Sequence, residues 1–163
     1  MQIALPSAYM LRNGKEEDIN GIISINSLTL PEHYTTSFYY SILSTNPDTF
    51  LVVEYHGKIV GYHMGRIEHS FSLKSLPQFA KKGHIISIAV FEEHRRTGLG
   101  KALIEKASEE FLKNGCEVSF LEVRVSNELA ISLYKNCGFR ISESLREYYS
   151  DGEDAYVMEK KLV

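Results

Sequence analysis

Gly83 to Lys101 reads GHIISIAVFEEHRRTGLGK. The run His84-Ile85-Ile86-Ser87-Ile88-Ala89-Val90 is β-branched and apolar, the pattern of a buried strand. A polar, basic loop follows, Glu92-Glu93-His94-Arg95-Arg96-Thr97. Gly98-Leu99-Gly100 then opens a helix whose apolar positions, Leu99, Ala102, Leu103, Ala107 and Phe111, recur at helical spacing. Strand, glycine loop and helix N-terminus together form an anion site. The first helical turn has unpaired N–H groups and partial positive charge, and glycines let an anion approach the backbone. A phosphate or pyrophosphate is the expected ligand. Two familiar loops fail to fit. The G-x-x-x-x-G-K-[ST] pattern would need a glycine at Arg95 and a hydroxyl at Ala102. The G-x-G-x-x-G pattern finds Gly98 and Gly100 but meets Leu103 at its third glycine. Arg95-x-x-Gly98-x-Gly100 remains.

Working outward, 163 residues suit one domain, taken as 1–163. A chain that is 44% hydrophobic and 24% charged is that of a globular protein rather than a disordered one. A net charge of −3 argues against nucleic-acid binding driven by bulk charge. No apolar run approaches the ~18 residues of a membrane span, and Met1 to Pro6 lacks the basic and apolar regions of a signal peptide. A cytoplasmic protein with no membrane attachment is expected. Cys116 and Cys137 form no C-x-x-C pair, and the six histidines lack metal-site spacing, so no metal is expected. Both thiols read as small buried residues.

Tyr9 to Arg12 is a short strand, and Lys15 to Leu30 a helix with a stripe of Ile19, Ile22, Ile23 and Ile25 ended by Pro31. A second helix covers Thr36 to Ser44. Thr49 to Tyr55 and Lys58 to Glu68 form a hairpin turning at His56-Gly57, with Gly61 and Gly65 marking a bend or close backbone approach. His69 to Lys82 is expected as a long connection. After the central unit come a strand at Glu117 to Val125, a helix at Glu128 to Asn136 capped by Ser126-Asn127, a strand from Phe139, and a final strand at Ala155 to Leu162 after the Asp151-Gly152 turn. The order β, α, α, β, β, β, α, β, α, β, β predicts an α/β fold, a mixed sheet with helices on both faces.

Asn127-x-x-Ala130-x-x-x-Tyr134-x-x-x-Gly138-Phe139 is the second signature, with Asn127 and Tyr134 two helical turns apart on one face. Together with Arg95-x-x-Gly98-x-Gly100, it resembles the cofactor motifs of the GCN5-related N-acetyltransferase (GNAT) superfamily. Leu30-Pro31-Glu32-His33-Tyr34, the His84–Val90 strand and Tyr148-Tyr149-Ser150-Asp151-Gly152-Glu153-Asp154-Ala155-Tyr156 narrow the resemblance. They are similar to the protein N-terminal acetyltransferases, in particular the archaeal branch related to the NatA catalytic subunit and to RimI. The resemblance covers about Tyr9 to Leu162. The sequence ends at Val163 without the long tail of the eukaryotic subunits, a departure from the resemblance that leaves a stable auxiliary-subunit partner open.

The resemblance implies a GNAT fold whose mostly antiparallel sheet splays at the cofactor site, near Glu122. It implies acetyl-coenzyme A as cosubstrate, held by Arg95, Arg96, Thr97, Gly98, Leu99, Gly100 and Lys101, with Asn127, Ala130 and Tyr134 along the arm. A backbone N–H of Ile88, Ala89 or Val90 would polarise the thioester carbonyl, a contribution of ~3 kcal/mol. The acceptor would be the α-amine of a protein N-terminus (Ser, Ala or Met), attacking the thioester directly, in the setting of the ribosome or nascent chains. A monomer or homodimer is expected. A peptide α-amine, with pKa about 8, is roughly a tenth neutral at pH 7, whereas a lysine near 10.4 is about a thousandth neutral or less. A mild base therefore suffices, and the resemblance points to Glu32 and His84. Two roles stay open for Glu32, proton acceptor or anchor for the cationic terminus. His84 has a plain alternative as a strand-end residue bonded to a carbonyl. Tyr134 would protonate the leaving thiolate. Glu32, Tyr34, Tyr39, Tyr148 and Tyr149 would grip the peptide, while Asp151, Glu153 and Asp154 read as a turn with a solvated acidic face. An internal lysine, a small amine, or a non-catalytic sensor of the coenzyme are the competing readings.

Overall fold

The structure, a computed structural model, describes residues 4–71 and 79–163. Its elements follow the expected order. β1 (Tyr9–Asn13) leads through a 3-10 turn at Glu16–Asp18 into α1 (Ile19–Thr29) and α2 (Thr36–Thr45). β2 (Leu51–Tyr55), β3 (Lys58–Phe71) and β4 (Phe79–Val90) are antiparallel neighbours. α3 (Leu99–Lys113) crosses over to β5 (Val118–Arg124), which pairs parallel to β4. α4 (Glu128–Asn136), β6 (Arg140–Leu145) and β7 (Ala155–Lys161) complete the chain. The seven strands lie in the order β1-β2-β3-β4-β5-β7-β6, so the only parallel pair among them is the one the α3 crossover allows.

The long connection expected from His69 to Lys82 is corrected. Strands β3 and β4 run further, pairing His69 with Lys81 and Phe71 with Phe79, and residues 72–78 lie outside the described part. His69 and Lys81 are exposed, and Ile67, Glu68 and Lys82 half-buried. Strand residues that face solvent do not need the apolar alternation that marks a buried strand, so composition concealed this extension.

Because successive side chains of a strand point to opposite faces, the sheet fills two cores. Leu51 and Val53 of β2 join α3 and α4 on one face through Leu103, Ala107, Phe111 and Ile131. Val52 joins Ile19, Ile22, Ile25, Tyr39 and Ile42 of α1 and α2 on the other. The close approach expected at Gly65 is present. A Cβ there would lie 2.8 Å from Phe111 Cζ, and one at Gly83 would enter the same ring. These two glycines let the fully buried Phe111 seat α3 directly on β3 and β4.

The sheet splits between β4 and β5. They pair only at Lys82–Val118, Gly83–Ser119 and His84–Phe120, while β5 stays paired to β7 as far as Arg124. The last pair therefore lies two residues before Glu122, the position the family resemblance implies for the split. Its cause is a bulge: Ser87 pairs with Met64 and Ile85 with Gly65, leaving Ile86 as an extra residue on β4. A bulge bends its strand, and this one turns β4 away just past its last bond to β5.

Candidate active site

On the α3 side, backbone conformation does the building. Arg96 and Gly98 take left-handed conformations, φ 62° and 83°. A Cβ at Gly98 would meet nothing, so glycine is required there by its φ and not by crowding. Gly98 also caps α3 without a side chain, so no side-chain acceptor competes for the first-turn N–H groups. Thr97 Oγ1 donates to the His94 carbonyl at 2.6 Å, and Arg95 Nε donates to the Val90 carbonyl at 3.0 Å. Arg95 thus fastens the loop to the end of β4. Gly100 stands against Leu133 of α4, where a Cβ would come within 3.2 Å. Asn127 caps α4 by accepting from the Ala130 N–H.

The split holds a cavity of about 730 Å³, walled by β4 from Ile85 to Ile88 and by β5 from Leu121 to Arg124. Asn127, Ala130 and Tyr134 of α4 border it, as do the α1–α2 loop with Glu32 and Tyr34 and the β6–β7 loop with Tyr148 and Tyr149. The free edge of β4 can be read from two bonds. The Ile86 carbonyl accepts from Tyr34 Oη at 3.3 Å, and the Val90 carbonyl from Arg95. Both therefore face away from β3. The N–H and C=O of one residue lie on the same side of a strand and alternate along it, so Ile88 turns its pair toward the split. Tyr134 is buried, and burial together with Cys137 and Tyr62 holds its pKa well above the usual tyrosine value. Burial likewise pushes Tyr34 up to about 12.

Two clusters of charge flank the cavity. In the first, His84 is stacked on Phe120, with ring centroids 4.4 Å apart, and lies between carboxylates: Nδ1 is 2.8 Å from Glu68 Oε1 and Nε2 is 2.6 Å from Glu122 Oε2. A carboxylate only accepts, so filling both contacts requires a proton on each nitrogen, an imidazolium. Burial opposes that charge, but Glu122 and Glu68 outweigh it and raise the His84 pKa. The partners are carboxylates rather than the backbone carbonyl that was the plain alternative. His84 does not line the cavity itself; Glu122 stands between.

In the second cluster, Arg124 reaches Glu32 Oε1 at 2.9 Å from Nε and 2.8 Å from Nη2. Its Nη1 reaches Asp151 at 2.8 Å and Glu153 at 3.0 Å, and its guanidinium lies 4.1 Å over the Tyr149 ring. Asp151 stays solvated, at 60% exposure, but with Glu153 it also belongs to an ion cluster, and Asp154 accepts from the Glu147 N–H at 2.8 Å. Tyr148 and Tyr149 meet edge to face, centroids 5.0 Å apart.

Tyr39 is a correction. It is 1% exposed, packed in the α1–α2 core edge-on to Tyr34, and does not reach the cavity. The helix that carries it turns it inward and leaves Tyr34, in the preceding loop, to face the split. Sequence reasoning also passed over Glu122, Arg124 and Glu68. The available signal was Glu122-x-Arg124, two charges on one face of a largely apolar interior strand.

Comparisons with known proteins identify the family and the fold. Residues 19–139 match the acetyltransferase (GNAT) family. The chain is 49% identical over 157 residues to the N-alpha-acetyltransferase of Sulfurisphaera tokodaii, covering 94% of this chain and 93% of that protein. Its structure is similar to Ard1 from Thermoplasma volcanium, with a TM-score of 0.82 and 30% identity, covering 96% of this chain and 99% of that one. It is also similar to Chaetomium thermophilum Naa20 in complex with a bisubstrate analogue, with a TM-score of 0.83 and 32% identity, covering 93% and 86%.

Proposed function

This chain belongs to the GNAT acetyltransferase family, and from that premise we propose that it acetylates the free α-amino group of protein N-termini. It is an acetyl-coenzyme A-dependent N-acetyltransferase. The observation that carries the acceptor assignment is the pairing of Glu32 and Glu122 on the cavity wall. Each has one carboxylate oxygen engaged by a cation, Arg124 or His84, and a second oxygen that no described residue bonds.

The residues on the other side fit the coenzyme. The left-handed turns at Arg96 and Gly98 and the uncapped start of α3 suit a pyrophosphate. The split gives an extended arm a strand edge to pair with, beside Asn127 and Ala130. When bound, the coenzyme supplies the activated acetyl group.

The chain's own residues do the rest. The Ile88 N–H, on the free edge of β4, donates to the carbonyl oxygen as negative charge grows there. Glu32 and Glu122 attract the α-ammonium and take its proton, directly or through water. A mild base is adequate because an α-amine pKa near 8 leaves about a tenth of the amine neutral at pH 7. The His84 imidazolium keeps Glu122 ionised and oriented, so we assign His84 the positioning role and Glu122 the proton-accepting one. Tyr134, kept protonated by burial, donates toward the departing thiolate. Tyr34, Tyr148 and Tyr149 border the peptide's path, where hydroxyls and rings can hold an extended backbone with little regard to side chain.

The test is a panel of peptides with free N-termini beginning Ser, Ala or Met, set against N-blocked peptides carrying one internal lysine. Mass spectrometry locates the acetyl group. Turnover confined to free α-amines is expected; turnover on the blocked lysine peptides alone would refute the assignment.

A further inference from the structure

Two loops form the acceptor side of the cavity, and each is fixed to its own part of the scaffold. The α1–α2 loop is held by Asn26, whose side-chain amide donates to the Glu32 carbonyl at 3.0 Å. The β6–β7 loop is held by Ser126, whose N–H and hydroxyl donate to Glu153 Oε2 at 3.1 and 2.6 Å, and by the Tyr149 N–H bond to the Glu153 carbonyl at 3.1 Å. Among the described residues, no hydrogen bond or ion pair runs directly from one loop to the other. Among the described residues, Arg124 is the side chain that bonds both, to Glu32 on one lip and to Asp151, Glu153 and the Tyr149 ring on the other.

We propose that Arg124 is the positioning residue of the acceptor entrance: its guanidinium clasps the two lips together and fixes the Glu32 carboxylate against the cavity. The proposal rests on the α-amine reading of the site. The chemistry suits a guanidinium and no other side chain. Three carboxylates surround one cation, and its planar fork reaches all three while its face stays on an aromatic ring. Both bonds to Glu32 fall on Oε1. The other oxygen is left for the ammonium of an incoming chain, and the excess negative charge of the cluster attracts that ammonium. Arg124 itself need not touch the reacting atoms. It sets the width of the entrance and the angle at which the peptide's first residues are seated.

Arg124→Met and Arg124→Lys separate this role from a general loss of structure. With a peptide beginning Ser and with acetyl-coenzyme A each varied, Arg124→Met is expected to raise the peptide KM about tenfold or more, leaving the coenzyme KM unchanged and kcat within a few-fold. Arg124→Lys keeps the charge but loses the fork, so only part of the peptide KM is recovered. Hydrogen exchange at the Tyr149 and Gly152 amides, followed without any acceptor, is expected to quicken in Arg124→Met. The double variant Asp151→Asn, Glu153→Gln leaves Arg124 in place and is expected to move the same two readouts, which keeps the test available should Arg124→Met fold poorly. An unchanged peptide KM, full recovery by lysine, or an equal rise in both KM values would overturn the clasp. A wild-type enzyme that leaves α-amines untouched would instead refute the acceptor assignment, and the exchange measurement would still decide the clasp: unaltered protection at Tyr149 and Gly152 would remove it.

Discussion

The two sides of the cavity are built by different physics. The coenzyme side is made of backbone: two left-handed residues, an uncapped helix start, and the free edge of β4 exposed by the Ile86 bulge. The acceptor side is made of side-chain charge: His84 between Glu68 and Glu122, and Arg124 among Glu32, Asp151 and Glu153. On the proposed reading, backbone donors would hold the coenzyme with little dependence on side chains. Side-chain charges, which can be exchanged one at a time, are suited to selecting the acceptor and managing its proton.

Substitutions that strike one side and spare the other test this division. The largest effect is expected for Glu122→Gln, which removes the charge and keeps the shape. Steady-state kinetics should show kcat/KM for the peptide falling by roughly 10²–10³, the range of a lost acid–base group, with coenzyme affinity near that of the wild type. A fall of less than threefold would take the proton-accepting role from Glu122.

A smaller effect is expected for Gly98→Ala. A Cβ there has room, but φ of 83° costs an alanine about 1–2 kcal/mol, so the loop shifts and the coenzyme KM should rise about tenfold.

The smallest concerns His84. Its pKa is raised in the folded state, so the fold binds this proton more tightly than the unfolded chain does. The resulting stabilisation is complete below the ordinary histidine pKa of about 6.5 and is lost as pH rises through the folded value. An NMR titration should place the His84 ring above that ordinary value and lower in Glu122→Gln. A ring that titrates at or below about 6.5 in the wild type would contradict the double carboxylate bridge.

The same division explains what could be read from the sequence. The strand, glycine loop and helix of the coenzyme side are contiguous in the chain. So is the Asn127 cap, three residues from the Ala130 N–H it accepts from. Local signals of that kind survive without the fold. Glu32 and Arg124, by contrast, lie 92 positions apart, and His84 and Glu122 lie 38 apart. Each reads alone as an ordinary charged residue, and their meaning comes from β5 lying beside β4 at the split. Glu32 and His84 were reached by resemblance to a family, whereas Glu122 and Arg124, which hold them, were not. Tyr39 went the other way. It sits among tyrosines that suit a peptide groove, but its helical position commits it to the core. The split itself is expected near Glu122 and begins just past the His84–Phe120 pair, because a single unpaired residue at Ile86 carries no mark in composition.

The most direct measurement is a reciprocal kinetic comparison of Gly98→Ala and Arg124→Lys, varying acetyl-coenzyme A and a peptide beginning Ser in turn. The glycine variant is expected to raise the coenzyme KM alone and the arginine variant the peptide KM alone. If either substitution shifts both constants together, the two sides of the cavity are not separable and the division of labour described here is wrong.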